Sequence, residues 1–191
     1  MERSAFELEP VPPFRLDLTV WILRRRPDNV VDRWDGQIYR RVLVLDGVPV
    51  EVAARQLGPV ESSRLAVELA AERLPPGAEE RAGELLTRML GLRVDLTGFY
   101  RLAAEDPQLG RLVERFRGAK PTRYPTVFEA LVNAIACQQV TLTLGIQILN
   151  RLALAHGPRY EDGAGSYPAF PHPADLAWLE PAALRALGFS R

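Results

Sequence analysis

Apolar and polar positions alternate along much of the first part of the chain, then settle into a period of three to four residues. Between residues 14 and 23, Leu16, Leu18, Val20 and Ile22 take every second place, which predicts a strand ended by Arg24-Arg25-Arg26-Pro27. Residues 38–45 alternate in the same way and run into Asp46-Gly47, a pair suited to a tight hairpin. The returning strand is 50–57, broken by Gly58-Pro59, and Leu65, Val67 and Leu69 mark another at 64–71. Residues 1–13, with three prolines, read as extended chain. Short strands joined by tight turns predict a small antiparallel sheet.

The helical spacing starts after Pro75-Pro76-Gly77. A helix is predicted at 78–92, with Glu79 and Glu80 in its first turn and Leu85, Leu86, Met89 and Leu90 facing inward. A short helix follows at 97–105. Asp106 caps another, with Pro107 at its first position, that runs to about residue 116. The strongest pattern spans 124–157 and predicts two helices joined by a polar corner, Gln138-Gln139. Thr126 is placed to cap the first, with Glu129 completing a capping box. Phe128, Leu131, Val132, Ile135 and Ala136 share one face of it. Thr141 caps the second helix, Leu144, Ile148, Leu149 and Leu152 form its stripe, and Gly157-Pro158 ends it. Residues 158–171 read as a loop, and 173–179 and 181–187 as short helices.

The expected fold class is therefore α+β. A small N-terminal antiparallel β-sheet domain with one helix occupies 1–92, and an all-α helical domain occupies 93–191.

Composition narrows the function without naming it. Hydrophobic residues make up 47% and charged residues 25%, ordinary values for a chain that buries a core. No apolar run reaches the ~18 residues that span a membrane, and Met-Glu-Arg-Ser-Ala-Phe-Glu is not a signal-peptide start, so a cytoplasmic protein is expected. A single cysteine, Cys137, excludes an internal disulfide and a multi-cysteine metal centre; His156 and His172 lack ligand spacing, and no metal or cofactor is expected. Zero net charge argues against a protein that coats DNA. It leaves room for a local basic face, since residues 118–159 carry Lys120, Arg123, Arg151 and Arg159 against Glu129 alone.

Adjacent glutamines between two apolar helices admit two readings, a solvated helix end or a polar wedge held at the tip of a helical pair. Phe128-Glu129, Ala134-Ile135 and Gln138-Gln139-Val140-Thr141 resemble the helix pair of the DNA-3-methyladenine glycosylase II family, within the helix-hairpin-helix (Gly-Pro-Asp) superfamily of base-excision glycosylases. The flanks are similar too, with Asp106-Pro107 through Gly118 before the pair and Phe170-Pro171 through Leu187-Gly188 after it. Cys137 stands where that family often has glycine.

The resemblance implies an enzyme that flips an alkylated purine such as 3-methyladenine out of damaged double-stranded DNA and hydrolyses its N-glycosidic bond. It makes Gln138 and Gln139 the DNA wedge, with Gln139 filling the gap. It makes Phe14 and Trp21 candidates for an aromatic base pocket that attracts cationic bases, with Trp34 and Tyr39 weaker candidates. Lys120, Arg123 and Thr141 become candidates for the DNA backbone. It also allows a short helix at 14–23 in place of the strand. Arg40-Arg41 is similar to a family element, for which a structural salt link is the simpler account.

The family's glycine-rich helix-hairpin-helix and its catalytic aspartate have no counterpart here. The only aspartates after residue 128 are Asp162 and Asp175, and neither matches the catalytic position. The resemblance thus implies a helical domain truncated before that motif, with no catalytic residue of its own and no excision by this chain alone. An exposed apolar seam is expected, covered by a missing C-terminal half or a second copy. The alternative is a non-catalytic binder of damaged DNA.

Overall fold

The structure, a computed structural model, describes residues 1–189. Seven strands and eight helices are built in chain order among them. Strands β1 (Glu2–Leu8), β2 (Arg33–Trp34), β3 (Ile38–Leu45), β4 (Val48–Leu57) and β5 (Arg64–Ala71) form one antiparallel sheet in the order β1-β5-β4-β3-β2. The hairpin falls where Asp46-Gly47 requires it: Leu45 faces Val48, and both turn residues hold positive φ, 49° and 78°. Alternation sets which face is inward, and Val50, Val52, Leu65, Val67 and Leu69 are fully buried on that side.

Helices α1 (Leu16–Arg24) and α2 (Ala78–Met89) cover this face. The strand expected at 14–23 is therefore a helix, as the resemblance allowed. Its buried residues are Leu16, Thr19, Val20 and Leu23, a helical repeat, while Ile22 and Trp21 lie outside. Alternating Leu, Val and Ile satisfied a period of two by coincidence. Burial of Leu16, Val20 and Leu23 on the sheet selected the period of 3.6. The first residues, expected only to be extended, form an edge strand, with β1 paired to β5 from Glu2–Ala71 to Leu8–Leu65.

Helices α3 (Thr97–Ala104) and α4 (Pro107–Arg115) follow, with Asp106 accepting from the Gln108 and Leu109 amides as an N-cap. Helices α5 (Val127–Ala136) and α6 (Leu142–His156) are the expected pair. They build a second core of Ala136, Ile146, Ile148, Leu149 and Leu152 with Val31 and Phe170. Short helices α7 (Pro173–Leu176) and α8 (Pro181–Ala186) close the described chain.

Residues 158–171 are not simply a loop. Strands β6 (Arg159–Asp162) and β7 (Gly165–Pro168) make a hairpin whose turn is held by Asp162 accepting from the Ala164 and Gly165 amides. Tyr160 and Ala169 pack on Val42 of the sheet face opposite α1 and α2. Gly157 ends α6 with φ −72° rather than a left-handed turn. A side-chain carbon there would run into the Ala169 carbonyl oxygen, so the glycine serves close approach and not backbone freedom.

The corner of the helix pair

Helix α5 turns its polar residues inward. Glu129 and Asn133 are buried, whereas Leu131 and Ile135, expected to face a core, are 57% and 59% exposed. The reason lies in the sheet. Arg41 of β3 is fully buried, and its guanidinium donates 2.9 Å to Asp32 and 2.6 Å to both oxygens of Glu129. Tyr39 donates its hydroxyl to the same Asp32 at 2.7 Å. A buried guanidinium needs charge partners, and α5 supplies one by presenting Glu129.

Burial disfavours the Arg41 charge, but Glu129 and Asp32 outweigh it and hold its pKa above the ordinary arginine value. Burial pushes the Glu129 carboxyl up, with Arg41 pulling the other way. The capping box at this helix is half formed for the same cause. Thr126 accepts from the Glu129 amide at 3.1 Å, but the Glu129 carboxylate is committed to Arg41. The structural salt link expected of Arg41 is present, and Arg40 is paired with Asp35 at 2.5 Å.

About one turn further along α5, Asn133 accepts from Arg25, the C-cap residue of α1. Arg25 also reaches Cys137 Sγ at 3.5 Å and lies 5.9 Å from the centre of the Tyr124 ring. Cys137 is the C-cap of α5, and a side-chain carbon at Gly145 of α6 would sit 2.6 Å from its sulfur, so the two helices touch here. The chain then turns through Gln138, Gln139 and Val140, all exposed, before Thr141 caps α6 by accepting from the Leu144 amide at 3.3 Å. Gln139 holds φ +56°. Three non-glycine residues have such a backbone among those described; one is in the β3–β4 turn, and the other two, Arg25 and Gln139, belong to this corner. Left-handed backbone at ordinary side chains gathers where structure is held for use.

Aromatic residues stand one helical turn from Arg25. Trp21 is 62% exposed and stacked on Phe116, with ring centres 6.2 Å apart. Trp21, Trp34, Arg24, Arg25 and Arg26 line a cavity of about 330 Å³ between α1 and β2. Phe14, expected beside Trp21, is fully buried in the sheet core, its amide bonded to Val60 and its carbonyl to Gln56, and it lines no base pocket. Tyr39 is equally buried. Lys120 is also inside: its ammonium donates 2.6 Å to the Val94 carbonyl, which removes it as a contact for a DNA backbone. Thr141 is exposed but engaged as a cap, and Arg123 is exposed one residue before Tyr124.

Arg25, Tyr124, Asn133 and Phe116 were not read from the sequence. The run Arg24-Arg25-Arg26 is the available signal in the sequence, and by itself it marks only the end of an element.

Asp162 and Asp175 are both occupied locally, the first in the β6–β7 turn and the second accepting from the His172 amide at 2.7 Å. Among the described residues no His, Cys, Asp and Glu cluster could hold a metal ion, and no helix is long and apolar enough to cross a membrane.

No protein-family model matches the chain. It is 23% identical over 170 residues to a DNA-3-methyladenine glycosylase of Bacillus subtilis, covering 88% of this chain and 55% of that protein. Its fold is that of a 3-methyladenine DNA-glycosylase from Archaeoglobus fulgidus, with TM-score 0.78 and 24% identity, over 97% of this chain and 62% of the other. It also overlays, at TM-score 0.69 and 16% identity, on a Clostridium acetobutylicum 8-oxoguanine glycosylase/lyase in complex with double-stranded DNA, over 98% of this chain and 60% of that one. The chain thus spans roughly three fifths of the length of the proteins it is similar to.

Proposed function

We propose that this chain is the damage-reading part of a base-excision DNA glycosylase acting on alkylated purines, 3-methyladenine being the type. The observation that carries the reading is the exposed Gln138-Gln139 corner, set in a left-handed turn and joined through Arg25 to an aromatic cavity. The similarity to the two 3-methyladenine glycosylases supports it and supplies the substrate class. Gln139 enters the duplex where the damaged nucleotide leaves, and its amide bonds the orphaned opposite base. The extruded base enters the cavity beside Trp21. Arg123 and the guanidinium groups at the end of α1 serve the phosphates.

These 191 residues bind without cutting. Cleavage of the glycosidic bond needs a carboxylate beside the sugar, and Asp162 and Asp175 are spent on a turn and a helix start. The remaining part of the fold, which the relatives carry and this chain does not span, brings that group. It also covers the open apolar face of α5, where Val127, Leu131 and Ile135 adjoin a groove of Phe128, Val132 and Leu184.

The test is fluorescence anisotropy with the full chain, using duplexes with and without one alkylated purine. Binding tighter to the damaged duplex, weakening with salt and reduced by Gln139→Ala, is the expected result. Equal affinity for both duplexes, unmoved by Gln139→Ala, would remove the reading. Release of free base by the chain alone would overturn the assignment of binding without cleavage.

A further inference from the structure

The two corner glutamines are exposed, so the residues on either side set where they stand. Thr141 is fixed to α6 as its cap. Cys137 is held from two directions. On the α6 side, a side-chain carbon at Gly145 would lie 2.6 Å from the sulfur. On the α1 side, Arg25 Nη1 approaches the same sulfur at 3.5 Å. Arg25 Nη2 donates to Asn133 Oδ1, about one turn before Cys137. Asn133 Nδ2 donates 3.0 Å to the Glu129 carbonyl, which fixes the amide and leaves its oxygen for Arg25. At its other end Arg25 is tied to the base cavity, since its backbone amide donates 3.1 Å to the Trp21 carbonyl. The partners of its guanidinium are an amide oxygen, a sulfur and the Tyr124 ring, and all three lie in α5 or its flanks. Charge pairing therefore does not account for its place, nor for a backbone held at φ 61°.

We propose that Arg25 is a positioning residue for the wedge. Through Asn133 and Cys137 it fixes the end of α5, and so the height at which Gln139 meets the duplex beside the cavity of Trp21. The proposal rests on the glycosylase reading above and names what holds its wedge. A corner ordered before DNA arrives loses less entropy when Gln139 enters the gap than one that must be ordered by the duplex. Undamaged duplex offers no gap and draws little from this order. Discrimination between the two duplexes, more than affinity for DNA in general, should therefore depend on the tie. Lysine cannot replace it, because a single ammonium does not span Asn133, Cys137 and the Tyr124 ring at once.

The experiment measures the affinity of the full chain for a duplex carrying one N7-methylguanine and for its undamaged counterpart. Their ratio is the discrimination, and 2-aminopurine beside the lesion reports unstacking by the wedge. Asn133→Ala leaves every charge in place and should lower the ratio about tenfold, the size of a coupling between residues in contact. It should also remove most of the 2-aminopurine signal at saturating protein. Arg25→Lys, which keeps the charge too, should do the same. In Asn133→Ala/Gln139→Ala the ratio should equal that of Gln139→Ala alone, because both changes disable one wedge. Circular dichroism checks folding, and if Asn133→Ala fails to fold, Arg25→Lys and Arg25→Lys/Gln139→Ala carry the same comparison. A wild-type ratio in the folded variants, or losses that add in the double variant, overturns the positioning role; a wild-type protein that still prefers the damaged duplex then leaves the glycosylase reading intact. No preference in the wild type removes both.

Discussion

Gln139 holds a backbone conformation that a side chain resists, since Cβ crowds the carbonyl in the left-handed region. Its neighbours in the corner do not require glutamine for stability, because the side chain is exposed. Gln139→Gly should therefore raise stability by up to about 1 kcal/mol in urea unfolding while lowering affinity for damaged duplex. A variant that loses both would assign the residue to folding instead. Asp35 makes a second prediction at this scale. The Ile38 amide, Arg40 and the Gln37 amide hold its carboxyl down to about 2. Its folded-state pKa lies below the unfolded value, so the stability it contributes is complete above the ordinary 3.8 and is lost as pH falls through about 2. Between those limits the wild type should lose more stability than Asp35→Asn, and coincident pH profiles would contradict the assignment.

Helix α5 shows how a buried charge outranks an apolar stripe. Its pattern was legible, and so were its ends at Thr126 and the glutamine corner. The face it buries was not, because the deciding partner, Arg41, is 88 positions away in the chain. Removing Glu129 leaves Arg41 buried with Asp32 alone. Glu129→Ala should cost roughly 3 kcal/mol in urea unfolding, far beyond the ~1 kcal/mol expected from the loss of a cap in Thr126→Ala. Similar costs for the two would mean that the pair adds little beyond a helix end. Helix α1 teaches the complementary lesson. Residues 14–23 fit both periods, and local sequence could not choose; packing of Leu16, Val20 and Leu23 on the sheet did.

For the whole molecule, the open apolar face of α5 sets behaviour in solution. Val127, Leu131 and Ile135 lie at successive helical turns and are more than half exposed. Leu131→Glu should change folding stability by no more than about 0.5 kcal/mol, yet reduce self-association in light scattering and the binding of an apolar dye. A large loss of stability would mean that this face is packed within the chain itself. The helix pair, the sheet and the hairpin β6–β7 meet around Arg41 and Val42, so the tip at Gln139 is held from the sheet as well as from α6.

From the amino-acid order alone came the strands 38–45, 50–57 and 64–71, the Asp46-Gly47 turn, seven of the eight helices with the N-caps Asp106, Thr126 and Thr141, and the exposed glutamine corner. Each depends on contacts within a few residues, where propensity and side-chain spacing act directly. Tertiary structure decided that 14–23 is a helix, that 2–8 is a strand and that Phe14 and Lys120 are interior. It also brought Arg25 to the corner and gathered three arginines around Trp21. Those outcomes turn on burial and on charges meeting across long stretches of chain, and neither is written in the local pattern.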